Sequence, residues 1–201
     1  DDYNGPQTIG FSKGQYTIRN GRRSSSANAF LKPARRRPNL TVHTRAQATR
    51  ILMSGTTAIG IEYLRKGKVV SAQADQEVIL SGGVFNTPQL LMLSGIGPAD
   101  HLREFGIDCL SDLPVGKNLQ DHLVASNFWT RPDNTSPFRE ELRYDKIAIS
   151  MIRGYFFGTG PGTVVPGGMH AFLKSAPDVE AADWEFLFRG APLDANPWFP
   201  G

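Results

Sequence analysis

Two consecutive glycines, Gly82 and Gly83, form the part of the sequence best suited to holding a negatively charged group. They follow a short apolar run, Val78–Leu80, and precede two polar residues, Asn86 and Thr87. Glycines leave backbone amides open to a ligand, and the start of a helix carries a partial positive charge. The pattern therefore favours a phosphate or nucleotide site. A buried strand that leads into a core helix has the same pattern, and no GxGxxG triplet accompanies it.

The histidines and the cysteine do not form a recognisable catalytic or metal-binding set. The sequence has four histidines and one cysteine, and neither HExxH nor GxSxG occurs in it. His122 directly follows Asp121, a pair that fits either a structural hydrogen bond or the orientation of a cofactor. The single cysteine, Cys109, excludes an intrachain disulfide and is expected to be a small buried side chain. We expect no metal site.

The composition is that of a folded, turn-rich chain. Of 201 residues, 40% are hydrophobic and 20% charged, with 21 glycines and 14 prolines, which excludes wholesale disorder. No apolar run is long enough to span a membrane and no signal peptide opens the chain, so we expect a cytoplasmic location, with a membrane-peripheral one as the alternative. The net charge is +3. The basic runs Arg22–Arg23 and Arg35–Arg37 leave open a nucleic-acid-binding module, although a solvated surface explains them more simply.

Short strands separated by turn dipeptides dominate the first eighty residues. A strand is predicted over Gln15–Ile18 and a short helix over Ser26–Leu31, which the following prolines keep short. An antiparallel meander is then predicted, with strands at Leu40–Thr44, Ala48–Leu52, Ala58–Leu64 and Lys68–Ser71 and with turns at Ser54–Gly55 and Lys66–Gly67. The apolar run at Glu77–Leu80 is typical of a strand buried on both faces.

Two helices are predicted after the glycine pair. The first begins at Pro88, capped by Asn86 or Thr87, and ends at Gly95. The second runs from Pro98 to Phe105, and Gly106 ends it. Beyond a domain boundary near residue 123, the pattern predicts a loop over 131–137, a helix over Arg139–Phe157, a loop over Gly158–Gly162, and strands at Met169–Lys174 and Trp184–Arg189.

The run from Gly82 to Pro98, GGVFNTPQLLMLSGIGP, closely resembles the second signature of the glucose–methanol–choline (GMC) oxidoreductases, which are FAD-dependent and oxidise alcohols. Further segments resemble the same family in the same order, among them DYNG, GRRSSSANAFLKPARRRPNLTV, EVILSGG and VGKNLQDH. The overall likeness is to bacterial choline-dehydrogenase-like and aliphatic-alcohol members. The resemblance implies a mixed α/β chain with part of a Rossmann-like FAD-binding domain over 1–122. Over 123–201 it implies the start of a substrate domain on an antiparallel sheet.

The resemblance also implies which residues contact the cofactor. Members hold the adenine with main-chain atoms at the position of Ala48, and the turn that passes the adenosine matches Ser81, Gly82 and Gly83. Two polar residues, Asn86 and Thr87, match the pair before the signature proline. The members' GxGxxG and catalytic histidine have no counterpart here, so we expect an internal segment of a longer polypeptide, inactive alone and without a catalytic residue. Asn118, Asp121 and His122 match a recurrent motif to which we assign no role.

The activity implied for the whole protein is oxidation of a primary or secondary alcohol, choline-like or aliphatic, by hydride transfer to flavin N5. The electron acceptor, oxygen or a quinone, is left open, and no nucleic acid or membrane span is expected. A flavin-containing lyase of the same fold and a non-catalytic basic module are the alternatives. Trp184, Phe186 and Phe188 alternate along one strand face, and we expect core packing, with a substrate-cavity wall as the alternative.

Overall fold

The computed structural model describes residues 2–129, 142–163 and 168–188. The chain divides into two compact units, Asp1–Leu40 with Asn127–Gly201 and Thr41–Ser126, and each is described here by itself. The mixed α/β class with antiparallel sheets, predicted from the resemblance, is confirmed. Within the described ranges, none of the helices has the length and hydropathy that a membrane crossing requires.

The elements follow one another in short segments. The strands are β1 (Gly10–Lys13), β2 (Ile18–Arg19), β3 (Arg22–Arg23), β4 (Ala46–Ser54), β5 (Thr57–Arg65), β6 (Lys68–Gln73), β7 (Ile96–Gly97), β8 (Ser111–Asp112), β9 (Met169–Leu173) and β10 (Trp184–Phe188). The helices are α1 (Lys32–Ala34), preceded by one π-helical turn (Ala27–Leu31), α2 (Gly83–Leu93), α3 (Ala99–Glu104) and α4 (Tyr144–Phe157). A 3₁₀ turn covers Pro161–Thr163.

The unit Thr41–Ser126 is built on the antiparallel meander β4-β5-β6. The predicted turn at Lys66–Gly67 is confirmed, because both residues have the positive φ of a type I′ turn, 51° and 74°. The other turn lies at Gly55 and Thr56, one residue later than predicted. The sequence determines these positions locally, since only glycine and a few polar residues tolerate positive φ.

Helix α2 packs on strand β4 through a buried serine. The hydroxyl of Ser94 accepts the Ile51 backbone N–H at 2.8 Å and donates to the Leu90 carbonyl at 2.6 Å. Ser94 and Ile51 are both buried, so this pair of hydrogen bonds is shielded from water. Burial makes these hydrogen bonds costly to break, because a buried amide that loses its partner cannot form a hydrogen bond with water instead. One side chain thus fixes the end of α2 against the sheet.

Two of the predicted strands are wrong. Residues 40–44 and 77–80 are not paired into a sheet with any described residue, and Ile79 is 75% exposed instead of buried on both faces. A strand requires a neighbour that supplies ladder hydrogen bonds, and an apolar pattern alone cannot provide one. The prediction that Cys109 is buried is also wrong, since the residue is exposed.

Other predicted elements are shifted or confirmed. The strand expected at Gln15–Ile18 is replaced by β1, which ends before it, and by β2, which begins at its last residue. The short helix before Pro33 is confirmed but continues to Ala34, and α3 and the positive φ of Gly95 and Gly106 are confirmed. Helix α4 is confirmed over Tyr144–Phe157. Three predictions fall wholly or partly outside the described residues: the loop at 131–137, the start of the helix at Arg139, and Arg189.

The unit Asp1–Leu40 with Asn127–Gly201 contains the antiparallel sheet β1-β9-β10. Phe11 and Phe186 lie on either side of Ala171 in register, and Ala171 is fully buried. Trp184, Phe186 and Phe188 stack in sequence, with ring centroids 5.9 and 6.4 Å apart. All three rings remain exposed, from 38% to 54%, so the expectation of core packing is wrong among the described residues.

The β2–β3 hairpin of the same unit rests on the end of α4. Its turn residues Asn20 and Gly21 have φ of 53° and 67°, a type I′ turn, and Gly158 ends the helix in the left-handed conformation. A Cβ placed on Gly21 would collide with the carbonyl group of Gly158, and one on Gly158 would meet the Asn20 carbonyl. The backbone at Gly21 therefore contacts the backbone at Gly158, and neither position has room for a side chain.

We expect Gly21→Ala to lower the free energy of unfolding by at least about 2 kcal/mol, because it adds a collision to the strain of positive φ. Gly67→Ala is the matched control. Gly67 occupies the same position of a type I′ turn, and its Cβ would meet nothing within 4 Å. That variant should lose about 1 kcal/mol. Urea unfolding of both variants measures the difference, and equal losses would show that the glycine contact contributes nothing.

Candidate cofactor-binding site

The glycine turn lies at the start of α2, with its open side at Gly83. Gly83 has φ of 82°, and a Cβ added there would meet nothing within 4 Å. Gly82 is the N-cap residue, without a side-chain cap. The first backbone amides of a helix have no partner inside it, so the turn presents donors and a partial positive charge to open space. A negatively charged group could approach this backbone closely.

Thr87 shapes the turn from inside the helix. Its hydroxyl oxygen accepts the Gly82 N–H at 3.0 Å, and a Cβ on Gly82 would crowd Asn86 and the Thr87 amide. The prediction that Asn86 or Thr87 caps a helix beginning at Pro88 is wrong, because α2 already begins at Gly83. Thr87 lies inside α2, one turn after the helix begins, and its hydroxyl holds the backbone at Gly82 against the helix.

Pro88 lies inside α2 and changes the backbone ahead of it. Proline has no N–H, so the carbonyl of Val84 lacks the hydrogen bond that residue 88 would otherwise donate. Val84 and Phe85 are exposed beside the glycines, at 61% and 73%. Sequence reasoning gave Phe85 no role beside the glycines. The sequence feature that could have indicated this role is a pair of apolar side chains in the first turn of a helix that starts on glycine.

Ala48 lies on strand β4 next to a β-bulge. The register between β4 and β5 shifts between Ala48 and Arg50, so Thr49 is the extra residue. Strand β4 is at the edge of its sheet, and Ala48 is exposed. Main-chain groups on the outer side of an edge strand remain available to a ligand. No glycine or proline marks the bulge, so it could not be predicted from the residue types.

Glu62 holds the bulge from the neighbouring strand. Its carboxylate accepts the Thr49 hydroxyl at 2.9 Å and the Arg50 guanidinium at 3.0 Å. These hydrogen bonds, the Thr49 bond first and the Arg50 bond second, hold the pKa of Glu62 below its ordinary value of 4.5. The ionised carboxylate thus favours the bulged backbone beside Ala48.

The predicted site residues are divided as follows. Ala48 and the set Ser81, Gly82, Gly83, Asn86 and Thr87 all belong to the unit Thr41–Ser126, and their elements α2 and β4 pack against each other. The motif at residues 118–122 begins at the end of a turn over 115–118 and has local side-chain hydrogen bonds. There Asp121 accepts the His122 backbone N–H at 2.8 Å, and Gln120 donates to Asn118 at 3.1 Å. In the described ranges, no cluster of acidic, histidine or cysteine side chains could hold a metal ion.

A profile of the GMC oxidoreductases matches residues 1–124. The chain belongs to this family, and the resemblance seen in the sequence is confirmed. Over 94% of its length it is 42% identical to the mitochondrial choline dehydrogenase of Homo sapiens and, over the same share, to the oxygen-dependent choline dehydrogenase of Brucella canis. It covers 32% and 34% of those proteins, so the chain spans about a third of the curated relatives it matches.

Solved structures place the fold in the same family. A formate oxidase structure is 30% identical, with a TM-score of 0.68 over 82% of this chain and 29% of that one. Pyridoxine 4-oxidase from Mesorbium loti is 37% identical, with a TM-score of 0.53 over 56% of this chain and 22% of that one. Another formate oxidase structure, from Aspergillus oryzae, shows the effect of a mutation on FAD modification in that protein and is 25% identical, with a TM-score of 0.63 over 82% of this chain and 29% of that one. The cofactor class predicted from the resemblance, FAD, is thereby confirmed.

The residues present fit the adenosine side of FAD. A turn that is open at Gly83 can admit a phosphate oxygen at its backbone amides, and the free edge at Ala48 can offer main-chain groups to a base. Both contacts depend on backbone atoms, so the alanine at residue 48 is compatible with them.

We expect the stabilisation from Glu62 to depend on pH. It is fully present above the ordinary pKa of 4.5 and is lost as the pH falls through the lower pKa of the folded state. Glu62→Gln should therefore lower the free energy of unfolding at about pH 7, with a smaller difference from the parent at about pH 3. Glu77→Gln, the same change at an exposed residue of the same unit, is the control. A difference that does not change with pH would contradict the role of the charge.

Proposed function

We propose that the chain forms the adenosine-side part of the FAD site in a flavin-dependent dehydrogenase or oxidase of alcohols. The open turn at Gly83 is the observation that carries this proposal, because a Cβ-free backbone at a helix start is suited to a phosphate oxygen. The glycine turn before α2 passes the adenosine part of the cofactor, and the amides of the first helical turn orient the phosphate oxygen nearest to it. The β4 edge at Ala48 orients the adenine.

The proposed substrate is a small primary or secondary alcohol, choline-like or aliphatic, which becomes an aldehyde or ketone. Support comes from the two choline dehydrogenases that match nearly all of this chain. When bound, FAD supplies the hydride acceptor at N5. No residue of this chain is proposed to take the hydroxyl proton. We assign that role to a histidine in the part of the relatives' length that this chain does not cover.

We expect Gly83→Ala, made in the complete protein, to weaken FAD binding by about tenfold or more, since a methyl group would occupy the open side of the turn. Gly67→Ala is the control, because it has a similar φ and equally open surroundings in the same unit. The measurement is the dissociation constant of FAD for the apoprotein, followed by flavin fluorescence. If both variants bind FAD as the parent does, the turn is not part of the site.

We expect the flavin absorbance of the complete protein to be bleached when choline or an aliphatic alcohol is added without oxygen. Oxidation of the alcohol must reduce the flavin, whereas a lyase of this fold retains an oxidised flavin throughout turnover. Bleaching with an alcohol, but not with its ether analogue, supports oxidation. A flavin that stays oxidised while the alcohol is consumed supports the lyase. Reoxidation by oxygen, compared with reoxidation by a quinone, separates an oxidase from a dehydrogenase.

A further inference from the structure

A cleft with three arginines lies in the unit that does not contain the glycine turn. Its volume is about 400 Å³, and its walls include Arg19, Arg22 and Arg23 together with Ser24 and Phe157. Among the residues that the structure describes, no acidic side chain lines it. None of the ion pairs in the described part of the chain involves these arginines. Three arginines thus line one cleft, and no carboxylate is among its described lining residues.

The hairpin forces two of these charges together. Arg19 and Arg22 are directly paired across β2 and β3, where like charges repel and destabilise a sheet. The turn between them cannot open easily, because Gly21 is packed on the backbone of Gly158. The repulsion is therefore built into the fold, and an anion between the two guanidinium groups would relieve it.

One of the arginines is held in place by the helix beside it. A terminal nitrogen of Arg22 donates to the carbonyls of Tyr155 and Phe156, at 2.8 and 3.5 Å. A cation at the C-terminal end of α4 also complements the helix dipole. A guanidinium has five N–H donors in a rigid fork, so others remain for a second acceptor. Arg22 is accordingly positioned before any ligand arrives.

We propose that this cleft is a binding site for a phosphate-bearing small molecule, separate from the FAD site. Guanidinium forks match the oxygens of a phosphate group, and the hydroxyl of Ser24 adds a further donor. The cleft is larger than a phosphate ion, and Phe157, 75% exposed, offers an apolar wall for the organic part. A volume of this order is usual for small-molecule pockets. The ligand class is therefore an organic phosphate with an apolar or aromatic group.

The test uses the complete protein saturated with FAD, at low ionic strength, with inorganic phosphate and phenyl phosphate as probes. Isothermal titration calorimetry should show saturable binding, with phenyl phosphate binding more tightly than inorganic phosphate. Arg19→Gln should weaken phenyl phosphate binding by about tenfold or more. Arg35→Gln, which removes the same charge from the same unit outside the cleft, should leave it unchanged.

A stability measurement separates a ligand site from a structural role. Without phosphate, Arg19→Gln should unfold at the same temperature as the parent or a higher one, since the variant relieves repulsion. Phenyl phosphate should raise the unfolding temperature of the parent and of Arg35→Gln but not that of Arg19→Gln. Equal weakening in both variants would show non-specific attraction. Binding that occurs only in the apoprotein would show a flavin contact. Either result, or no saturable binding, would overturn the proposal.

Discussion

The hydroxyl of Ser94 determines how the candidate cofactor site is assembled. It accepts a hydrogen bond from the sheet at Ile51 and donates one to the helix at Leu90, and it does both in a buried place. The helix that begins with the glycine turn is thereby fixed to the strand that carries Ala48. If either hydrogen bond were absent, a buried polar group would be left without a partner, which costs free energy. Both hydrogen bonds are therefore needed to keep the helix and the strand aligned. Every backbone contact proposed for the cofactor depends on this alignment.

Local chemistry explains which parts of the fold could be predicted from the sequence. The turn at Lys66–Gly67 and the chain reversals at Gly95 and Gly106 require positive φ, and the residue type alone reveals that requirement. Strand pairing is a different matter. The segments 40–44 and 77–80 have strand-like patterns, yet pairing depends on a neighbouring strand whose position in the chain is not set by the local sequence. The apolar character of both segments is evident from the sequence, but their surroundings in the fold are not.

The candidate site shows the same division. The glycine pair was visible as residues with open backbone, and the family resemblance added Ala48, but nothing in the sequence predicted the bulge beside Ala48. Thr87 was identified as a capping residue because threonine before proline usually has that role. In the structure it binds the Gly82 amide instead, since the helix starts earlier. The arginines of the hairpin were interpreted as a solvated surface because sequence reasoning could not place them around a cleft.

The contact between Gly21 and Gly158 has a consequence for how this protein can evolve. Each position excludes a side chain because of the backbone of the other, although they are far apart in the sequence. A mutation at one glycine cannot be compensated by a smaller residue at the second, since glycine is already the smallest. We therefore expect substitutions at both positions to be selected against together, which would keep the geometry of the arginine hairpin that contains Gly21 constant.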